Sequence, residues 1–264
     1  VNSETDTGQP AVELNDVSLV FDGATEDDRV LVLDSVSLTI PAGQFVAIVG
    51  PSGCGKTTIL NMLAGLLKPT AGTVKRHGKP VDGPTNDVGY MMARSALAPW
   101  RTARKNVELG MEINGVPRRE RSKRASELLN RVGLSQFTNH FPSQLSQGMR
   151  QRVAIARTFA INPDLWLLDE PFAALDAQTR IVVQLQFLEM WNGTGQTVVL
   201  VTHDLEEATL LADRVIVIGA RPGYVKSDTV VDFARPRHID ELRFDARFTE
   251  IEHLIWRELR DELV

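Results

Sequence analysis

Gly50-Pro51-Ser52-Gly53-Cys54-Gly55-Lys56-Thr57 is the stretch that decides the fold, filling every position of the pattern G-x-x-x-x-G-K-[ST]. Before it, Phe45 to Val49 is an apolar, strand-sized run. After it, a helical pattern extends from Thr57 to Leu67, where Lys68-Pro69-Thr70-Ala71-Gly72 stops it. Strand, glycine-rich loop and helix in that order make a phosphate cradle. Glycines let the backbone wrap closely round an anion, and a helix start offers N–H groups and positive partial charge. Lys56 can reach the β- and γ-phosphates of a nucleotide, and the Thr57 hydroxyl suits Mg2+. Gly50 to Thr58 is the expected nucleotide-binding segment.

Working outward, Leu165-Trp166-Leu167-Leu168-Asp169-Glu170 is a hydrophobic strand ending in two carboxylates. Beside a phosphate loop, Asp169 stands where a Mg2+-linked aspartate belongs, and Glu170 where a carboxylate can polarise water against the γ-phosphate. At the start of the chain, Val12 and Leu14, then Val17, Leu19 and Phe21, alternate with polar residues. A phase break at Asn15-Asp16 predicts a bulged strand or two short ones. The acidic stretch Asp22 to Asp28 reads as a turn, and Val36, Leu38 and Ile40 as a strand ended by Pro41-Ala42-Gly43. An antiparallel layer therefore opens the chain. Short strands are expected near Thr73 to Arg76 and Val88 to Met91, and helices through Thr102 to Ile161. Strand and helix then alternate: Leu165 to Leu168, a helix from Ala177, Val198 to Val201, a helix from Leu205, and Val215 to Ile218. Such alternation implies a parallel, helix-covered sheet. From Ile239 onward Leu242, Phe248, Ile251, Ile255 and Leu259 predict one amphipathic helix docked on the same domain.

The 264 residues are 43% hydrophobic and 24% charged, enough for a sizeable core. The formal net charge of -5 argues against a nucleic-acid binder held by phosphate contacts. The basic run Arg118, Arg119, Arg121, Lys123 and Arg124 reads as the solvated face of a helix. No stretch reaches the roughly 18–20 apolar residues of a spanning helix, so a membrane role is expected only through a partner. Val1 to Pro10 reads as a loose polar tail. The single cysteine, Cys54, excludes an internal disulfide and fits a reducing, cytosolic home. Inside the phosphate loop, next to a helix start, its thiol is expected to be reactive unless burial makes it inert.

Leu145-Ser146-Gln147-Gly148-Met149-Arg150-Gln151-Arg152 resembles the signature LSGGQ-x-x-R of ATP-binding cassette (ABC) ATPases. Pro171 follows Glu170, Ala174-Leu175-Asp176 resembles that family's D-loop, and Thr202-His203-Asp204 its switch histidine. The resemblance covers essentially the whole chain after the tail. It implies an α/β fold: a P-loop NTPase core with an antiparallel β subdomain and an inserted α-helical subdomain. The implied boundaries are residues 11–93 and 161–238 for the core, 94–160 for the helical subdomain and 239–264 for a C-terminal helix. The implied cofactors are ATP and Mg2+, the metal held with help from Thr57 and Asp169. Lys56, Glu170 and His203 would be catalytic, and Phe21 would stack on adenine. The signature, Leu145 to Met149, would face the ATP of a second copy in a head-to-tail dimer.

Two departures stand out. Gln147 and Met149 replace a glycine and a glutamine of the signature, while Ser146 and Gly148 remain. The glutamine that the family carries ahead of its helical subdomain falls on Ala93; no glutamine occurs between Gln44 and Gln136. Ala93, Arg94, Pro99 and Trp100 would then provide the permease contact. Leu97-Ala98-Pro99-Trp100-Arg101-Thr102 resembles a segment of importers for nitrate, sulfonate, taurine and related compounds, and Ala220-Arg221-Pro222-Gly223 fits the same group. Implied partners are a second copy, two transmembrane permease subunits at the cytoplasmic face of the membrane, and indirectly a solute-binding protein. A non-transport ABC ATPase acting on ribosomes or DNA, and a poorly hydrolysing regulatory subunit, remain as rival readings.

Overall fold

The structure is a computed structural model that describes residues 9–22, 28–93 and 95–262. Most of the tail, most of the acidic turn after Phe21, and Arg94 lie outside these residues. The chain divides into two compact units, residues 1–85 with 193–264, and residues 86–192.

In the first unit, β1 (Val12–Phe21) and β2 (Val30–Ile40) pair antiparallel, and β1 also pairs with β4 (Ala71–Arg76), which continues to β5 (Lys79–Pro80). The phase break in β1 is a bulge within one strand. Its register shifts between Leu14 and Val17, and Asp16 takes a φ of 48°. The extra residue keeps Val12, Leu14, Val17 and Leu19 all buried on one face.

The same unit holds the parallel strands β3 (Phe45–Val49), β8 (Thr197–Val201) and β9 (Arg214–Ile218), with β3 between the other two. All five residues of β3 and of β8 are buried, as their unbroken apolar runs require. An antiparallel edge strand, β10 (Val225–Val230), pairs with β9. The sequence reading missed it because Val225-Lys226-Ser227-Asp228-Thr229-Val230 has too few apolar residues to show a period.

Two helical expectations are corrected. The first helix, α1, is Lys56–Leu63 and stops short of Leu67. Gly65, at φ 75°, donates to Met62 O, and Leu66 N donates to Asn61 O, a glycine-terminated helix end. Leu66 is left exposed. The tail pattern from Ile239 is two helices, α7 (Ile239–Leu242) and α8 (Ala246–Arg260). Asp245 caps the second by accepting from Arg247 N, which breaks the run. Phe248, Ile255 and Leu259 are the buried stripe of α8, and it packs on α6 (Leu205–Leu211), β9 and β10.

In the second unit, β6 (Val88–Met91) and β7 (Leu165–Asp169) pair in parallel. The helices α2 (Ala103–Ile113), α3 (Arg118–Arg131), α4 (Gln147–Ala160) and α5 (Ala177–Trp191) complete it. Arg118, Arg119, Lys123 and Arg124 are exposed on α3, while Ala125, Leu128 and Leu129 face inward. Phe159, Trp166, Phe172 and Phe187 stack edge to face around β7, with Phe172 and Phe187 centroids 5.8 Å apart. Phe172 is fully buried two residues after Glu170 and so anchors the loop that carries the carboxylate.

Candidate nucleotide site

The carboxyl ends of β3, β8 and β9 lie side by side, because Ile48 pairs with Val201 and Val49 with Val217. The phosphate loop, Thr202-His203 and the turn after Ile218 therefore leave the sheet together, where parallel sheets bind ligands. Thr202 N donates to Ile48 O at 3.3 Å. His203 is exposed, one residue ahead of Asp204, which caps α6 by accepting from Glu207 N at 3.0 Å.

Glycine is required in the loop itself. Gly53 and Gly55 take φ of 80° and 99°. A Cβ on Gly50 would stand 2.5 Å from Ile218 O, and one on Gly55 2.5 Å from Leu33 Cδ2. No side chain caps the start of α1, so its first amides present an anion site. Lys56 is buried and folds back over the loop; its Nζ donates to Gly50 O at 2.7 Å and Pro51 O at 2.8 Å. Ser52 and Thr57 are exposed, and Thr58 is half-buried. Phe21, at the end of β1, is 45% exposed, too open for strand core.

Cys54 does not lie open at the helix start. It is buried, 1% exposed, with Sγ 3.8 Å from Lys56 Nζ. Burial raises its thiol above the ordinary value, and the nearby Lys56 charge only partly opposes this. Burial thus sets the buried alternative against the expected reactive thiolate.

In the second unit, Asp169 ends β7 and is buried, 5% exposed. Burial, and then its negative charge, push Tyr90 up to about 12. Glu170 follows at φ 47°, an unusual conformation for a residue with a Cβ. Ser146 caps α4, its Oγ accepting from Met149 N at 3.2 Å. Gly148 sits in the first turn, where an added Cβ would lie 3.2 Å from Leu175 Cδ2. Gln147 is exposed and Met149 half-buried. Leu145 is buried, and its carbonyl accepts from Arg150 Nη1 at 2.6 Å. Asp176 caps α5 by accepting from Thr179 N, a bond that holds its carboxyl below the ordinary range.

Ala93 is exposed in a bend after β6. Trp100 is 76% exposed at the tip of a turn that Asn106 holds from beneath. Asn106 is fully buried, accepting from Ala98 N at 2.7 Å and donating to Ala98 O, Arg101 O and Thr102 O. Sequence reasoning passed over Asn106 and also Arg157, whose guanidinium donates to Ser95 O and Ala96 O. Neither residue stands inside a motif.

The model of the ABC transporter family matches residues 33–173. The chain belongs to the ABC transporter family. It is 46% identical to the taurine import ATP-binding protein TauB of Yersinia pestis, over 77% of this chain and 80% of that one. It is 39% identical to TauB of Roseobacter denitrificans, over 96% of each. Among solved structures, it is similar to a dimeric, post-hydrolysis state of the ATP-binding cassette MJ0796 bound to ADP and Pi. The TM-score is 0.75 and the identity 35%, over 84% of this chain and 100% of that chain. The ABC ATPase has the α/β cassette fold, binds ATP with Mg2+ and hydrolyses it.

The residues fit both groups. The glycine-built loop, Lys56 and the uncapped start of α1 suit polyphosphate. Among the described residues no group of three or more His, Cys, Asp or Glu could cage a metal. The exposed Thr57 hydroxyl and the Asp169 carboxylate are oxygen donors of the kind Mg2+ takes, one or two from protein with water and nucleotide oxygens beside them. No helix among the described residues is long and apolar enough to cross a membrane.

Proposed function

We propose that this ABC ATPase drives import of a small organic sulfonate such as taurine, or a related compound such as nitrate. The observation that carries this is the 39% identity to a taurine import ATP-binding protein over 96% of both chains. In this reading two copies meet head to tail, Gly50 to Thr58 of one copy facing Ser146 and Gly148 of the other. Two transmembrane permease subunits hold the dimer at the cytoplasmic face, and a solute-binding protein delivers the solute. Ala93, Arg94, Pro99 and Trp100 meet the permease, a role suited to a tryptophan held 76% exposed on a rigid turn. Residues 11–93 with 161–238 act as catalytic core, 94–160 as helical subdomain and 239–264 as a C-terminal segment built on α7 and α8, with 1–10 a tail.

At the site, Phe21 stacks on adenine and Lys56 binds the β- and γ-phosphates. Thr57 and Asp169 hold Mg2+, which when bound neutralises charge on the transferring phosphoryl group. Glu170 polarises the attacking water, His203 holds the γ-phosphate and Glu170 in register, and Asp176 borders the second copy.

The test is growth of a deletion strain lacking this gene on taurine, other sulfonates or nitrate as sole sulfur or nitrogen source. Loss of growth on one of these, restored by the wild-type chain and not by Glu170→Gln, is the expected result. Undiminished growth and uptake on all of them would overturn the importer reading.

A further inference from the structure

The turn after β9, Gly219-Ala220-Arg221-Pro222-Gly223, plays no part in the chemistry described so far, yet its backbone is fixed on several sides. Gly219 N donates to Tyr224 O at 2.9 Å, Gly223 N to Val32 O at 2.8 Å, and Asp34 N to Gly223 O at 2.9 Å. Glu262, just beyond α8, grips it as well. Its Oε2 accepts from Ala220 N at 2.5 Å, and its Oε1 accepts from Tyr224 Oη at 3.0 Å and pairs with Lys226 Nζ at 2.9 Å. The Ala220 amide bond first, and then Lys226, hold the Glu262 carboxyl below the ordinary range.

This fixed turn lies directly against the phosphate loop. A Cβ built on Gly223 would stand 2.0 Å from Cys54 O, an approach that only glycine allows. A Cβ built on Gly53 would stand 2.9 Å from Arg221 Nη2, 3.5 Å from Nε and 3.6 Å from Cζ. The guanidinium therefore covers the tip of the phosphate loop, on a residue that is itself exposed. A guanidinium offers a rigid fork of donors that matches phosphate oxygens. The anion that belongs at this loop is the nucleotide's polyphosphate.

We infer that Arg221 is a further phosphate-binding residue of the nucleotide site, with Glu262 as the residue that positions its turn. The inference rests on Gly50 to Thr58 being the nucleotide site. It ties nucleotide affinity to a carboxylate 209 positions further on than Gly53 in the chain, through the turn that carries Arg221.

The experiment measures MgATP and MgADP affinity of the full chain by isothermal titration, together with KM and kcat for hydrolysis. Arg221→Gln should weaken both nucleotides about tenfold and raise KM similarly, with kcat changed less than twofold. Arg221→Lys should recover part of the loss. Glu262→Gln should act in the same direction by about threefold, and the double variant should be no weaker than Arg221→Gln alone, since both act through one contact. Lys56→Ala is the reference. If it still binds nucleotide as wild type does, the phosphate-loop reading fails and Arg221 falls with it. If Lys56→Ala loses binding while Arg221→Gln keeps it, the inference alone is overturned. Unchanged affinity in Arg221→Gln with weaker ATP-driven dimerisation would also overturn it, assigning the cation to the second copy instead.

Discussion

Gln151 Nε2 donates to the carbonyl of Pro171 at 2.8 Å, and both residues are buried. The bond joins the second turn of α4, the helix opened by the signature, to the residue after Glu170. Removing the donor would strand a buried carbonyl, at a cost of about 1–3 kcal/mol. We expect Gln151→Leu to lower stability by that amount in urea unfolding. Its kcat should fall at least tenfold, with the KM for ATP within twofold of wild type. A variant that loses stability but keeps full kcat would reduce the bond to a purely structural one.

Glu170→Gln keeps the shape of the side chain and removes its charge. Hydrolysis should nearly vanish while ATP binding stays intact, and ATP should then trap a dimer visible by size-exclusion chromatography. Full activity would reject Glu170 as the water-polarising group. Its φ of 47° adds a second expectation. Because the left-handed conformation costs a residue with a Cβ roughly 1 kcal/mol, Glu170→Gly should lose hydrolysis with little loss of melting temperature.

Cys54 is expected to react with a bulky maleimide at least tenfold more slowly than a free thiol, and to become fully reactive on unfolding. Its raised pKa has a definite sign. The native thiol holds its proton where the unfolded one releases it. Its stabilising contribution is thus complete below the unfolded pKa and is lost as pH rises past about 9 toward the folded value. Cys54→Ala should flatten that alkaline loss of stability. An equally steep decline in the variant would assign it to another group.

Ala93→Gln tests the departure from the family pattern. Mg2+ accepts water where a protein ligand is missing, so the wild type should be active with slow basal turnover. The glutamine should lower the Mg2+ concentration for half-maximal rate or raise basal hydrolysis, by up to about tenfold. No change in either would mean that another residue already fills this role.

Asn106→Leu removes a side chain that binds Ala98 N and the carbonyls of Ala98, Arg101 and Thr102. A loss of roughly 2–4 kcal/mol is expected in equilibrium unfolding, and proteolysis should become faster at Pro99-Trp100. A loss below about 1 kcal/mol would show that the turn holds without it.

The sequence alone determined the phosphate loop, the strand that ends in Asp169-Glu170, the order of the motifs and the α/β class. Each of these is written within a few neighbouring residues, as glycines that permit one backbone path or as an apolar period that permits one element. Only the tertiary structure decided the rest. It buried Cys54, ended α1 at Leu63, split the last amphipathic stretch at Asp245, joined Gln151 to Pro171 and laid Arg221 over Gly53. The last two contacts join residues far apart in the chain, 20 positions for Gln151 with Pro171 and 168 for Gly53 with Arg221. A lone glutamine or arginine outside a motif carries no local pattern to announce what it will meet. Burial is likewise a property of the packed neighbours: the same cysteine beside a helix start would be a reactive thiolate in the open and is an inert thiol when covered.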